Sequence, residues 1–223
     1  MHMSKKRTTA RDAKQQVKTA KGRTTASTKW LKRQLNDPYV QKAQMDGYRG
    51  RAAYKLLEIN EKLDILQDGQ TVIDLGAAPG GWCQVASQKG CKVIGLDLLE
   101  IDPIPGVAFF RMDFMDDAAP DLLVEAAGGE KVDIVMSDMA PNTTGHKNTD
   151  HLRIMALVET AYYFAKDVLK QDGVFLAKVR QGGTENDLLA QMKKDFKTVK
   201  HIKPPSSRKE SSETYVIAQG FRG

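Results

Sequence analysis

The stretch Val72-Ile73-Asp74-Leu75-Gly76-Ala77-Ala78-Pro79-Gly80-Gly81-Trp82 decides the fold. An apolar strand runs into a tight, glycine-rich turn and then into a helix start. An open α/β sheet holds a nucleotide-like ligand in this way, at the carboxyl end of its first strand. Gly76 and Gly80 are four apart, so the turn is not the dinucleotide-binding G-x-G-x-x-G. No Lys-Ser or Lys-Thr follows Gly81, so it is not a phosphate-cradling P-loop. A plain strand-turn-helix corner would use glycine equally well; the downstream sequence argues against that reading.

From Gln70 onward, strand and helix patterns alternate. Strands are expected over 71–75, 92–97, 107–112, 132–138, 173–179, 197–203 and 213–219, and helices over 80–89, 117–127, 149–170 and 185–195. In the longest helix, Ile154, Val158, Ala161, Tyr162, Ala165 and Leu169 recur at three-to-four spacing and mark one buried face. Such alternation predicts a Rossmann-like α/β fold, a mostly parallel seven-stranded sheet with helices on both faces. The last two strands have no helix between them and should pair as an antiparallel hairpin that mixes the sheet at one edge. Before the core, Asp37 can cap a short helix with Pro38 at its first position. A second helix is expected over 52–63, with Tyr54, Leu57 and Leu63 buried.

The chain of 223 residues divides into a basic arm, 1–26, expected to be disordered without a partner, and one domain, 27–223. That domain has a helical segment, 27–69, and the core, 70–223. Residues 1–33 carry eleven Lys or Arg and one acid, a charge of +10; the remainder carries 23 bases and 27 acids, a charge of −4. A basic arm on a slightly acidic body suits a polyanion such as nucleic acid, and a solvated tail is the plainer reading. No apolar run is long enough to span a membrane. The N-terminus lacks the apolar stretch of a secretory signal. Cys83 and Cys91 are too few for a disulfide framework or a zinc site. A reducing cytoplasm, a monomer and no metal are the resulting expectations.

Acids stand at or near the ends of the first three strands: Asp74, Asp97 and Asp113. Asp97, 23 residues beyond Asp74, can accept hydrogen bonds from ribose hydroxyls. Asp113 can accept from an adenine amino group, with Phe114 flanking the ring. A strand-end turn and a helix cap are the plainer roles of these acids taken singly. Together they describe one acid-rich crevice. A pyrophosphate prefers a helix N-terminus free of carboxylates, which disfavours NAD and an oxidoreductase. A sulfonium cation with an amino group fits better, and the D-x-G-x-x-P-G-G turn resembles motif I of S-adenosylmethionine (AdoMet) methyltransferases.

Two central strands end in charge: Ser137-Asp138-Met139-Ala140-Pro141-Asn142 and Ala177-Lys178-Val179-Arg180. A lysine closing an otherwise apolar strand is a costly choice for structure alone, although a snorkelling side chain is the alternative. Glu213 opens the last strand. With Arg49-Gly50-Arg51-Ala52-Ala53-Tyr54-Lys55-Leu56, Asp97-Leu98-Leu99, Asp113-Phe114 and Ser207-Arg208 to Glu213, these segments make the chain resemble the FtsJ/RrmJ family of ribose 2′-O-methyltransferases from about residue 30 to the end.

The resemblance implies a Rossmann-like AdoMet fold and a catalytic tetrad at Lys55, Asp138, Lys178 and Glu213. It implies AdoMet as cofactor, with Asp74, Gly76, Gly80, Gly81, Trp82, Asp97, Asp113, Phe114 and Asp138 around it. For RNA contacts, Lys29, Lys32, Arg33, Arg49, Arg51 and Arg208 are the candidates. The Ser-Asp-Met-Ala-Pro-Asn wording resembles the bacterial ribosomal branch more than the tRNA branch, which implies a uridine ribose in 23S ribosomal RNA, on the assembled large subunit, as substrate. A tRNA methyltransferase and a non-catalytic ribosome-assembly factor of the same fold are the alternatives. Arg180 departs from the bacterial pattern, which has an aromatic residue there. The proton of the ribose hydroxyl must leave as the methyl arrives. Either a neutral Lys178 takes it, or Lys178 stays charged while Asp138 takes it.

Overall fold

The computed structural model describes residues 24–141, 145–180 and 186–223, and the basic stretch 1–23 lies outside them. Their helices are α1 (Thr25–Leu35), α2 (Pro38–Met45), α3 (Ala52–Leu63), α4 (Gly81–Gln88), α5 (Ala119–Ala126), α6 (Lys147–Val168) and α7 (Asn186–Asp195). Their strands are β1 (Thr71–Leu75), β2 (Lys92–Asp97), β3 (Val107–Arg111), β4 (Val132–Ser137), β5 (Leu169–Arg180), β6 (Phe196–Ile202) and β7 (Glu213–Phe221). None of these helices is long and apolar enough to cross a membrane.

The strands form one sheet in the order β3-β2-β1-β4-β5-β7-β6. All neighbours are parallel except those of β7, which runs against both β5 and β6. The chain leaves β1 through α4 toward β2 on one side, and β4 lies on the other. The crevice of the sheet therefore opens at the carboxyl ends of β1 and β4, where the strand order reverses.

The final hairpin forms at one edge of the sheet, as expected. β7 inserts between β5 and β6, which leaves β6 outermost and parallel to β5. Burial explains the choice. Tyr215, Val216, Ile217 and Ala218 are all buried, as a strand covered on both faces requires. β6 exposes Lys197, Lys200 and His201, and charge suits an outer strand whose backbone must not recruit another chain.

Alternate residues of the strands feed two cores. Val72, Val93, Ile134, Met136, Leu176, Tyr215 and Ile217 pack with Ala53, Leu56 and Ile59 of α3 and with Trp82, Val85 and Ala86 of α4. Ile73, Leu75, Ile94, Val135, Phe175, Ala177 and Val216 pack against α5, α6 and α7. On α3 the buried stripe is Ala53, Tyr54, Leu56 and Ile59, with Lys55 and Asn60. Tyr54 falls where expected, whereas Leu57 and Leu63 sit half-buried at its margins.

Two boundaries differ from expectation. α6 stops at Val168, and Leu169 already begins β5. The arm boundary at 26 falls inside α1, which hydropathy does not announce. Its start is local chemistry: the Thr24 side chain accepts the Ser27 N–H at 3.2 Å, and Lys32 and Arg33 sit in its last turn. Asp37 caps α2 as expected, accepting the Tyr39 N–H at 3.0 Å with Pro38 next to it.

Candidate active site

The four charged groups named from the sequence meet at one point. Lys178 Nζ lies 3.1 Å from Asp138 Oδ1 and donates to the Asp138 carbonyl at 2.5 Å. Lys55 Nζ lies 3.9 Å from the same Oδ1 and 3.4 Å from Glu213 Oε2. They come from α3, the end of β4, the end of β5 and the start of β7. Glu213 reaches this rim because β7 is antiparallel: the register sets Glu213 beside Arg180 at the carboxyl end of β5, and Tyr215 beside Lys178. In a parallel strand its first residue would lie at the opposite end of the sheet.

Lys55 and Lys178 are only 8% and 7% exposed. Two buried ammonium groups are tolerable when they share a carboxylate. Burial pushes the Asp138 carboxyl up, but Lys178, Lys55 and the Tyr215 hydroxyl outweigh it and hold the group below its ordinary value. The Tyr215 hydroxyl donates to Asp138 Oδ1 at 2.8 Å, and Lys55 Nζ sits 5.5 Å from the centre of the Tyr215 ring. Lys55, Lys178 and Tyr215 thus gather on Oδ1. Tyr215 is a site residue that sequence reasoning missed. Its signal was its spacing, since it stands two residues beyond Glu213 and therefore on the same face of the strand.

Around the glycine-rich turn, a Cβ at Gly76 would lie 2.7 Å from Met139 Cγ, and one at Gly80 would lie 2.7 Å from Ile104 Cδ1. Both glycines have φ in the left-handed region, at 78° and 103°. Gly81 starts α4 with a would-be Cβ 3.3 Å from the Ala53 nitrogen, so it permits the close contact of α4 with α3. Asp97 ties the turn to β2: Oδ2 accepts the Ala78 N–H at 2.9 Å and Oδ1 the Leu99 N–H at 2.8 Å. Asp113 is exposed and accepts the Met115 N–H at 3.0 Å.

Several expected contact residues have partners within the chain. The Phe114 ring is buried edge-on against Phe164 in the core, and Met115 beside it is exposed. The Trp82 ring is buried too, donating to the Ala52 carbonyl at 2.8 Å and lying 5.6 Å from the Tyr215 ring. It braces α4 and α3 beneath the site. Arg49 donates to the carbonyls of Asp102 at 2.5 Å and Pro103 at 2.8 Å, strapping that loop to the start of α3. Arg51 and Arg208 both pair with Asp37. Lys32 and Arg33 are exposed on α1, and the Lys29 side chain lies outside what is described.

Asp74 is fully buried beneath the turn. Its Oδ2 accepts from the Cys83 thiol at 3.1 Å, and its Oδ1 has no partner. Burial pushes its carboxyl from 3.8 up to about 7; the thiol opposes this, and the charges of Asp138 and Asp97 add to it. The native state therefore holds this proton more tightly than the unfolded chain. Between pH 4 and 7 the group makes stability fall with rising pH, by up to about 1.4 kcal/mol per unit, and the decline ends above about 7. In cofactor-free protein, Asp74→Asn should remove that contribution. Chemical denaturation at pH 5 and 7.5 measures it: the variant should gain relative to the wild type as pH rises, and parallel curves would exclude the shift.

Compared with known proteins, residues 48–221 match the FtsJ-like methyltransferase family. The chain is 59% identical over 211 residues to the ribosomal RNA large subunit methyltransferase E of Zymomonas mobilis, covering 94% of this chain and 95% of that one. It is 58% identical over 215 residues to the protein of the same name from Erythrobacter litoralis, covering 96% and 97%. Among solved structures, it resembles a Plasmodium falciparum chain described as a ribosomal RNA methyltransferase, with a TM-score of 0.71 and 32% identity over 79% of this chain and 100% of that one.

Proposed function

The chain belongs to the FtsJ-like methyltransferase family and is an RNA methyltransferase; from that premise we propose that it methylates the 2′-hydroxyl of a uridine ribose in 23S ribosomal RNA, on the assembled large subunit, in the cytoplasm. The observation that carries the reaction is the convergence of Lys55, Lys178, Glu213 and Tyr215 around Asp138. The curated relatives' names support the ribosomal substrate. The tetrad is complete within one chain, which agrees with action as a monomer.

Family membership implies AdoMet as cofactor, and the residues around the crevice fit it. Gly76 and Gly80 give the turn a left-handed backbone in which a side chain would collide with Met139 or Ile104. Asp74 Oδ1 is a buried acceptor without a partner. Asp97 and Asp113 supply further acceptors at the strand ends, and Gly81, at the start of α4, completes the turn. Bound there, AdoMet supplies an electrophilic methyl on a sulfonium, open to in-line displacement.

The protein's part is to present the ribose hydroxyl and receive its proton. Lys178 lies against both the Asp138 carbonyl and its carboxylate, and we infer that it acts in its charged form. In that state it can steer the hydroxyl and stabilise developing alkoxide charge. We infer that Asp138, kept ionised by its neighbours, accepts the proton through Oδ2, with Lys55 and Tyr215 holding the carboxylate in place. The groups interact closely enough to titrate together. A positioned base contributes roughly 10²–10⁴-fold to such a step.

The test supplies labelled AdoMet with large subunits, naked ribosomal RNA and tRNA in parallel. Label is expected on the large subunit, at a uridine 2′-oxygen by nuclease digestion and mass spectrometry. Label confined to tRNA would overturn the substrate, and label on a base would overturn the reaction.

A further inference from the structure

One stripe of α3 continues on either side of Lys55 with contacts that the chemistry above does not use. Arg51, Lys55 and Glu58 are spaced four and three residues apart, so their side chains share a helix face. All three reach the segment that leads into β7. Arg51 Nη2 donates to the Ser206 carbonyl, Glu58 Oε2 accepts the Ser206 N–H at 2.7 Å, and Lys55 donates to Glu213 Oε2 at 3.4 Å. The backbone of one residue, Ser206, is thus gripped on both its polar groups by side chains one turn to either side of Lys55.

Asp37 closes the arrangement from behind. Its Oδ2 accepts from Arg51 Nη1 and from Arg208 Nε and Nη2, at 3.2 and 3.1 Å for the latter two, while its Oδ1 caps α2. Asp37 and Ser206 are both buried, so these bonds are little weakened by competing water.

We infer that Glu58 and Arg51, backed by Asp37, are positioning residues that set Lys55 against Asp138 and Glu213, a role that rests on the proposed ribose-methylation reading of the site. Lys55 meets Asp138 Oδ1 at 3.9 Å, the outer limit of an ion pair. A small slide of α3 along the 204–213 segment breaks that contact, and misplacement by about 1 Å can cost on the order of 10²-fold in rate. The segment has other anchors: Lys203 Nζ donates to the carbonyls of Lys209 and Ser211, and β7 pairs along its length with β5. Loss of the Glu58 contact therefore leaves the segment attached and changes its register against α3.

The experiment compares wild type, Glu58→Ala and Glu58→Gln on large ribosomal subunits with labelled AdoMet. Glutamine keeps an oxygen that can accept the Ser206 N–H. Glu58→Ala should lower kcat about tenfold, with the AdoMet Kd and the KM for subunits within about twofold. Glu58→Gln should restore kcat to within about twofold. The NMR signal of the Lys55 ε-methylene, which needs no turnover, should shift in the alanine variant and return in the glutamine variant. Equal kcat losses in both variants would overturn the positioning role. So would a lower Tm for Glu58→Ala with unchanged kcat and an unmoved Lys55 signal. The wild-type arm separates the two ideas: no ribose label from wild type sinks the proposed ribose methylation of the large subunit and this role with it, whereas ribose label with three equal kcat values sinks this role alone.

Discussion

Lys178→Ala is expected to lower turnover by roughly 10²–10³-fold while AdoMet affinity stays within a few-fold of wild type. The side chain sits at the end of β5, bonded to the Asp138 carbonyl and carboxylate. Its removal takes away the group that steers the hydroxyl. It also leaves Asp138 with only the 3.9 Å contact to Lys55 as a cationic partner among the described residues. Asp97→Ala should fail in the opposite way. Asp97 holds the Ala78 and Leu99 N–H groups, so its loss loosens the turn and weakens AdoMet binding first. Calorimetric AdoMet titration and single-turnover methylation of large subunits, run on both variants, check the split. Equal loss of cofactor affinity in the two would mean that Lys178 belongs to the cofactor site.

Gly76→Ala is expected to damage both functions together. The residue holds φ at 78°, a conformation that costs an alanine about 1–2 kcal/mol. The larger effect is contact. A Cβ there would lie 2.7 Å from Met139 Cγ and 2.9 Å from both the Met139 nitrogen and Cα, and backbone cannot swing aside as a side-chain tip can. Met139 follows Asp138, whose own N–H donates to the Leu75 carbonyl at 3.2 Å, one residue before Gly76. The added methyl therefore pushes the end of β4 away from the end of β1 and carries the Asp138 carboxylate with it. AdoMet affinity should fall at least about tenfold and turnover at least about 10²-fold, in protein that still unfolds cooperatively. Affinity and turnover both within twofold of wild type would show that the turn tolerates the displacement.

The sequence determined what local chemistry and periodicity can carry. Asp37 with Pro38 started α2 where expected, because a cap needs only a side chain and the next few N–H groups. The alternation from Gln70 onward produced the strands and helices of a layered α/β sheet to within a few residues. The motif positions Lys55, Asp138, Lys178 and Glu213, taken from a family resemblance, fall together in space. What the chain could not announce were contacts between segments remote in sequence. The tertiary structure alone decided that β7 enters between β5 and β6, and that choice carries Glu213 and Tyr215 to the carboxyl rim. It alone buried the Phe114 and Trp82 rings in the cores, where they pack against Phe164 and Tyr215. Arg51 and Arg208 read as free cations until Asp37 and Ser206 met them at distances of 14 and 171 residues along the chain for Asp37, and 155 for Ser206. Hydropathy and local spacing report only what a residue does with its near neighbours. The partner of a buried charge is chosen by how the sheet is ordered and how the helices lie upon it.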